Sequence, residues 1–183
     1  MTMRRNLINL GAATLMTVAA MGPARASTQG SLGSTSTGSV SISASIPSRV
    51  RISGLSDVAF TNADPTIDAA NAQNVCVWSN TGTKGYQLTA TGSGSSNAFT
   101  LANASLTVPY TVEWNGSSGQ TSGTALATGT ASASLISTAT HQTCTAGPSS
   151  SASLIVGMST TDLQSMEAGL NYTGSLTLLV TPQ

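Results

Sequence analysis

Short runs in which apolar and polar residues alternate recur along this chain, and they constrain its fold more than any other feature. Alternation with a period of two places every second side chain on one face, as in a half-buried β-strand. Turn residues separate the runs, and helical periodicity is poor. The pattern therefore predicts an all-β, immunoglobulin-like antiparallel β-sandwich, with strands expected at residues 49–53, 74–80, 85–92, 98–103, 105–116, 127–137, 151–158 and 174–182.

Some of these runs also predict where a strand lies in its sheet or which side chains share a face. In 74–80 both faces are apolar, which predicts a central strand covered on both sides. In 105–116 the alternation continues through Pro109, which removes one donor and favours an edge or a bulge there. In 174–182 the side chains of Leu176, Leu178 and Val180 share one face. One short helix is expected over 162–168, capped by Thr161 with Gln164 at the capping-box position and Gly169 as the stop.

A further alternating run lies apart from the others, at residues 39–47. Its apolar positions are Val40, Ile42, Ala44 and Ile46, and Pro47 ends it. A Gly/Ser/Thr-rich stretch at 27–38 precedes it, and its composition predicts a flexible leader. A strand with one apolar face needs a partner, and the pattern leaves open whether that partner is its own domain, residues 48–183, or another molecule.

The first 26 residues resemble a secretory signal peptide. Arg4 and Arg5 precede an apolar stretch at 7–21, and Ala24-Arg25-Ala26 fits a small-x-small cleavage site. The apolar stretch is short for a membrane anchor. After residue 26, only Arg49, Arg51 and Lys84 are basic, so no patch for nucleic acid exists, and no charged amphipathic face suggests membrane binding. The chain is therefore expected to be exported.

Two cysteines, Cys76 and Cys144, are present. In an exported chain an even number predicts a disulfide. A metal site would need more ligands than His141 adds, and a redox role would favour a Cys-x-x-Cys spacing that is absent.

No residue pattern indicates catalysis. His141 is the only histidine and lies in a polar loop, no Gly-x-Ser-x-Gly elbow is present, and the acidic residues are scattered. We therefore expect no enzyme, no catalytic residue, no metal site and no cofactor. Trp78 and Trp114 lie inside strand patterns, so we expect them to pack in the core and not to stack against a bound sugar. Tyr172, just before the last strand, is expected to form a tyrosine corner.

Two segments together resemble a known family. SVSISASIPSRVRIS near the start and AGLNYTGSLTLLVTP at the end are similar to major pilins of the alternate, class 5 or colonization-factor-type, chaperone–usher fimbriae, and PYTVEWNG resembles a middle strand of that family. One extra residue beside Asn171, the cysteine pair and the long leader depart from the family pattern. Spore-coat-U-like pilins, in which a disulfide is common, are the second resemblance. The matching residues are Val40, Ile42, Ala44, Ile46, Pro47, Ala168, Gly169, Tyr172, Gly174, Leu176, Leu178, Leu179 and Val180.

The resemblance implies a fibre subunit whose sandwich lacks one strand. Residues 39–47 would be a donor strand that fills a groove in the neighbouring copy, with Leu176, Leu178 and Val180 lining the acceptor groove. It also implies a periplasmic chaperone and an outer-membrane usher as partners, a location in a cell-surface fimbrium, and support for adhesion to a host glycan or other surface receptor. The alternative from a different class is a secreted carbohydrate- or surface-binding β-sandwich module.

Overall fold

The structure is a computed structural model that describes residues 27–183. The predicted signal peptide lies outside these residues. The chain divides into two compact units between Ile46 and Pro47. No helix in residues 27–183 combines the length and the apolar character needed to cross a bilayer.

The first unit, as far as it is described, contains one β-bridge. The backbone N–H and C=O groups of Thr28 and Ser39 bond each other reciprocally at 2.9 Å, so that residues 28–39 form a closed turn. Residues 40–46 have no regular secondary structure. Their alternating apolar side chains are exposed, with exposed fractions of 74% at Val40, 90% at Ile42 and 82% at Ile46.

The second unit is an antiparallel β-sandwich, which confirms the predicted fold class. Its five-stranded sheet has the order β1-β2-β9-β6-β7, its three-stranded sheet has the order β10-β3-β8, and β4 pairs with β5. The elements are β1 (Val50–Ser53), β2 (Ala69–Ser79), β3 (Gly85–Gly92), β4 (Thr100–Asn103), β5 (Leu106–Pro109), β6 (Thr111–Asn115), β7 (Thr124–Ala125), β8 (Leu135–Ile136), β9 (Ala152–Met158), α1 (Thr160–Gln164) and β10 (Leu176–Pro182).

The core lies between the inner faces of the two larger sheets. Tyr86, Leu88 and Val77 are fully buried, as the alternation predicts. β2 is a central strand, since β1 and β9 flank it. The core residues of the second unit are Val75, Val77, Tyr86, Leu88, Val108, Tyr110, Val112, Trp114, Ala152, Leu154, Val156, Met158, Leu163 and Tyr172.

Three sequence expectations need correction. The run 105–116 is not one strand: it breaks at Tyr110, after Pro109, so that β5 pairs with β4 and β6 pairs with β9. The run 127–137 is mostly irregular, because its backbone crosses between the two sheets. The helix starts earlier and is shorter than expected: Ser159 caps it by accepting a hydrogen bond from the backbone N–H of Asp162.

Candidate strand-acceptor groove

The last strand, β10, has one free edge. It pairs antiparallel with β3 and ends its sheet, so no described strand lies on its other side. The N–H of Gln183 donates to the carbonyl of Gly85, which makes the odd-numbered residues of this strand the hydrogen-bonded partners of β3. The peptide N–H and C=O groups of Leu176, Leu178 and Val180 therefore point away from β3, along the free edge.

The same three residues have their side chains on the inner face. Leu176, Leu178 and Val180 pack against the core but stay partly exposed, although they belong to a seven-residue strand that faces it. Val50 and Ile52 of β1, at the edge of the opposite sheet, are also only partly buried. The core is thus incompletely covered along one side of the sandwich.

An open cleft marks this uncovered side. It has a volume of about 400 Å³ and lies between residues 55–58 and the beginning of β10, with Tyr110, Leu154 and Val156 among its lining residues. A second cleft of about 740 Å³ continues towards α1 and shares Val58, Phe60, Leu101 and Gly174 with the first. The shared lining makes the two clefts one groove of mixed polar and apolar lining, which reaches Leu176 and Leu178 at the start of β10.

The opposite side of the sandwich is closed. The N–H of Leu126 donates to the carbonyl of Val112 in the five-stranded sheet, and the N–H groups of Gly129 and Ser132 donate to the carbonyls of Ala90 and Leu88 in the three-stranded sheet. Residues 126–132 therefore connect the two sheets there. The β10 side lacks an equivalent segment in the described chain.

Tyr110 lies at the floor of the groove and holds the start of β10. Its hydroxyl donates to the carbonyl of Ser175 at 3.3 Å, and its ring lies 5.7 Å from that of Phe99. Burial raises the pKa of the Tyr110 hydroxyl above its ordinary value. This hydroxyl therefore acts as a neutral donor at physiological pH.

The predicted disulfide is present. Cys76 and Cys144 are bonded, with 6.0 Å between their Cα atoms and a sequence separation of 68. Both residues are buried with Ala139 in a small cluster separate from the main core, and Trp78 packs against it. The bond thus fixes the loop around Cys144 on the outer face of β2.

Of the two tryptophans predicted to pack in the core, Trp114 does so, whereas Trp78 is only half-buried, against the separate Cys76–Cys144 cluster. Trp114 is buried in the main core, where its Nε1–H donates to the hydroxyl of Tyr86 at 3.2 Å. Burial raises the pKa of Tyr86, and the hydrogen bond from Trp114 partly opposes the shift. The Tyr172 hydroxyl accepts a hydrogen bond from the backbone N–H of Glu167, five residues upstream, which confirms the tyrosine corner.

His141 lies in an exposed loop, where its Nδ1 is 2.9 Å from the hydroxyl of Thr143 and 3.0 Å from that of Thr145. Within residues 27–183, no group of three or more His, Cys, Asp or Glu residues is arranged to hold a metal ion.

Of the three residues predicted to line the acceptor groove, Leu176 and Leu178 line the cleft, whereas Val180 shares their inner face but lies further along β10, outside the lining of both clefts. The sequence pattern did not indicate the wall on the other side. That wall is residues 54–60, which follow β1 without pairing as a strand. Two signals could have indicated it. Gly54, at a φ of +81°, turns the chain out of β1, and the inward positions of β2 change from valine to Gln73 at the same level.

A scan against models of protein families found no match, and a search of curated proteins found no relative. The chain's function is therefore inferred from its residues and its geometry.

Proposed function

We propose that this chain is a structural subunit of a cell-surface fimbrium, a pilin of the chaperone–usher type that polymerises by donor-strand exchange. Residues 39–47 of one copy would insert along the free edge of β10 in the next. The observation that carries the proposal is the uncovered groove beside this edge, in a chain that also has an exposed, alternating apolar segment.

Residues 40–46 and strand β10 correspond in length and in pattern. Residues 40–46 and β10 each comprise seven residues, or about 20 Å of extended chain. Strand residues directly opposite one another have their side chains on the same face. With Val40, Ile42, Ala44 and Ile46 opposite the even-numbered residues of β10, all four apolar side chains would enter the groove, and the intervening serines would face outward.

The energy available to this insertion is sufficient for a stable contact. Transfer of three large aliphatic side chains from water contributes roughly 5–9 kcal/mol before ordering costs, and Ala44 adds less. The ladder bonds to Leu176, Leu178 and Val180 contribute about 0.5–1.5 kcal/mol each. The contact is head-to-tail and does not close on itself, so repetition produces a fibre.

An exposed groove with an unpaired strand edge is prone to aggregation. The proposal therefore includes a periplasmic chaperone that covers the groove and an outer-membrane usher that receives the subunit. The fibre would support adhesion to a host glycan or other surface receptor. Between the two pilin branches that the sequence resembles, the Cys76–Cys144 bond favours the spore-coat-U-like one, where such a bond is common.

The test compares two charges at neighbouring positions. Ile42→Asp would place an unpaired carboxylate in the groove and should abolish surface fibres while soluble subunit remains in the periplasm. Ser43→Asp, the matched control, places the same charge on the outward face and should leave fibres intact. Negative-stain microscopy of cells that express the chain with its genomic neighbours gives the result.

Normal fibres from Ile42→Asp, or equal loss from both variants, would refute the proposal. A glycan array with the purified chain tests the alternative function, that of a secreted carbohydrate-binding module. Tight binding of a saccharide together with normal fibres from Ile42→Asp would favour a carbohydrate-binding module.

A further inference from the structure

Gln73 occupies an unusual position on the inner face of β2. Val75 and Val77, two and four residues further along β2, lie on the same face and are both buried in the core. Gln73 lies opposite Leu154 of β9, and its side chain lines the groove. A polar side chain here needs hydrogen-bond partners.

Its partner is the backbone of Ser56. The N–H of Ser56 donates to Gln73 Oε1 at 2.7 Å, and Gln73 Nε2 donates to the carbonyl of Ser56 at 3.0 Å. The side-chain amide thus satisfies both backbone groups of one residue in the wall of the groove. We call this pair of bonds the Gln73 clasp.

The clasp occurs where a β-ladder would otherwise continue. β1 pairs with β2 up to Ser53 opposite Cys76, and the same register would set Ser56 opposite Gln73. The chain instead leaves the sheet at Gly54, whose φ of +81° suits glycine. Because the Gln73 side chain points inward, Ser56 is held on the inner side of β2, towards the three-stranded sheet, and not in line with the edge of β2.

We propose that Gln73 is a positioning residue of the acceptor groove. It would hold residues 55–60 away from β2, so that an inserted strand has backbone partners on both sides, β10 on one and residues 55–60 on the other. This inference rests on the proposed function and adds a residue that controls how firmly the donor strand is retained.

Gln73→Val would continue the pattern of Val75 and Val77 and would remove the clasp. Residues 54–58 could then continue the β1–β2 ladder, since the N–H and C=O groups of Ala72 and Asn74 face that edge and have no strand partner in residues 27–183. The inserted strand would retain its ladder to β10 and would lose its second neighbour.

The experiment uses the full mature chain carrying Ile42→Asp, so that its own donor segment does not compete, and a fluorescent peptide with the sequence of residues 38–48. Release of the bound peptide is measured by stopped-flow after dilution into unlabelled peptide. Thermal unfolding of each chain is measured in parallel. Gln87→Val is the matched control, since Gln87 lies in the middle of β3, outside the groove.

Gln73→Val should release the peptide about tenfold faster or more, because several ladder bonds are lost and each tenfold corresponds to about 1.4 kcal/mol. Its melting temperature should not fall. Gln73→Glu keeps the acceptor for the Ser56 N–H and loses the donor, so its release rate should lie between the two. Gln87→Val should release the peptide at the parent rate.

Two results would overturn the role of Gln73. One is an unchanged release rate in Gln73→Val. The other is faster release in both Gln73→Val and Gln87→Val, with a lower melting temperature in each. If the parent chain does not bind the peptide, the donor-strand proposal itself fails. The two failures are thus distinguishable within one data set.

Discussion

Loss of the Cys76–Cys144 bond should destabilise the sandwich by an amount that depends on the length of the loop that the bond closes. The bond closes a loop of 68 residues, and the chain-entropy model gives about 4 kcal/mol for a loop of this size at 25 °C. For a domain of this length, each kcal/mol lowers the melting temperature by about 2–4 °C. Reduction, or the double substitution Cys76→Ser with Cys144→Ser, should therefore lower it by roughly 8–16 °C.

The assay is thermal unfolding followed by circular dichroism, with and without a reductant. The oxidised parent should melt highest, and the reduced parent should melt near the double variant. The double variant is the control, because its melting temperature should not respond to the reductant. A parent chain whose melting temperature is the same in both conditions would refute the loop-closure reasoning.

Three other outcomes follow from the core and from the edge strand. Tyr86→Phe leaves the Nε1–H of Trp114 without its acceptor and should cost about 1–3 kcal/mol in a urea titration. Burial raises the pKa of Tyr86 and Tyr110, so the folded state holds the phenolic protons more tightly than the unfolded state does. The stability that this difference contributes is complete below pH 10 and is lost as the pH rises through the folded-state pKa values. Melting temperatures measured from pH 8 to 11 should therefore fall at the alkaline end. Leu178→Glu should abolish binding of the 38–48 peptide, whereas Leu179→Glu, on the outward face with 59% of its side chain exposed, should bind it normally in the same fluorescence assay.

The parts of the fold that sequence predicts well are those with strict alternation. β3 spans Gly85–Gly92, as its pattern indicates, and β10 begins two residues after the start of its predicted run. In both strands the apolar side chains supply the energy of burial and the turn residues set the ends. Local sequence is then sufficient.

The remaining elements depend on tertiary partners. The first half of β2, Ala69–Asn74, is small and polar and becomes a strand through its ladder to β9. The break at Tyr110 follows from two different pairings, β5 with β4 and β6 with β9, which alternation alone does not reveal. The shared inner face of Leu176, Leu178 and Val180 was predictable, because these residues alternate with polar or outward ones in the sequence. The wall at 54–60 was not, because it depends on tertiary contacts: Gln73 bonds the backbone of Ser56, and Val58 and Phe60 pack against the core.

Strand addition to β10 can be observed one amide at a time. In the Ile42→Asp chain, hydrogen exchange by NMR should find the amides of Leu176, Leu178 and Val180 fast, because they face the free edge, and those of Leu179 and Thr181 slow, because they bond β3. Adding the 38–48 peptide should slow the first three and leave the other two unchanged. Exchange at Leu178 and Val180 that is already slow without the peptide, or is not slowed by it, would contradict donor-strand insertion at this edge.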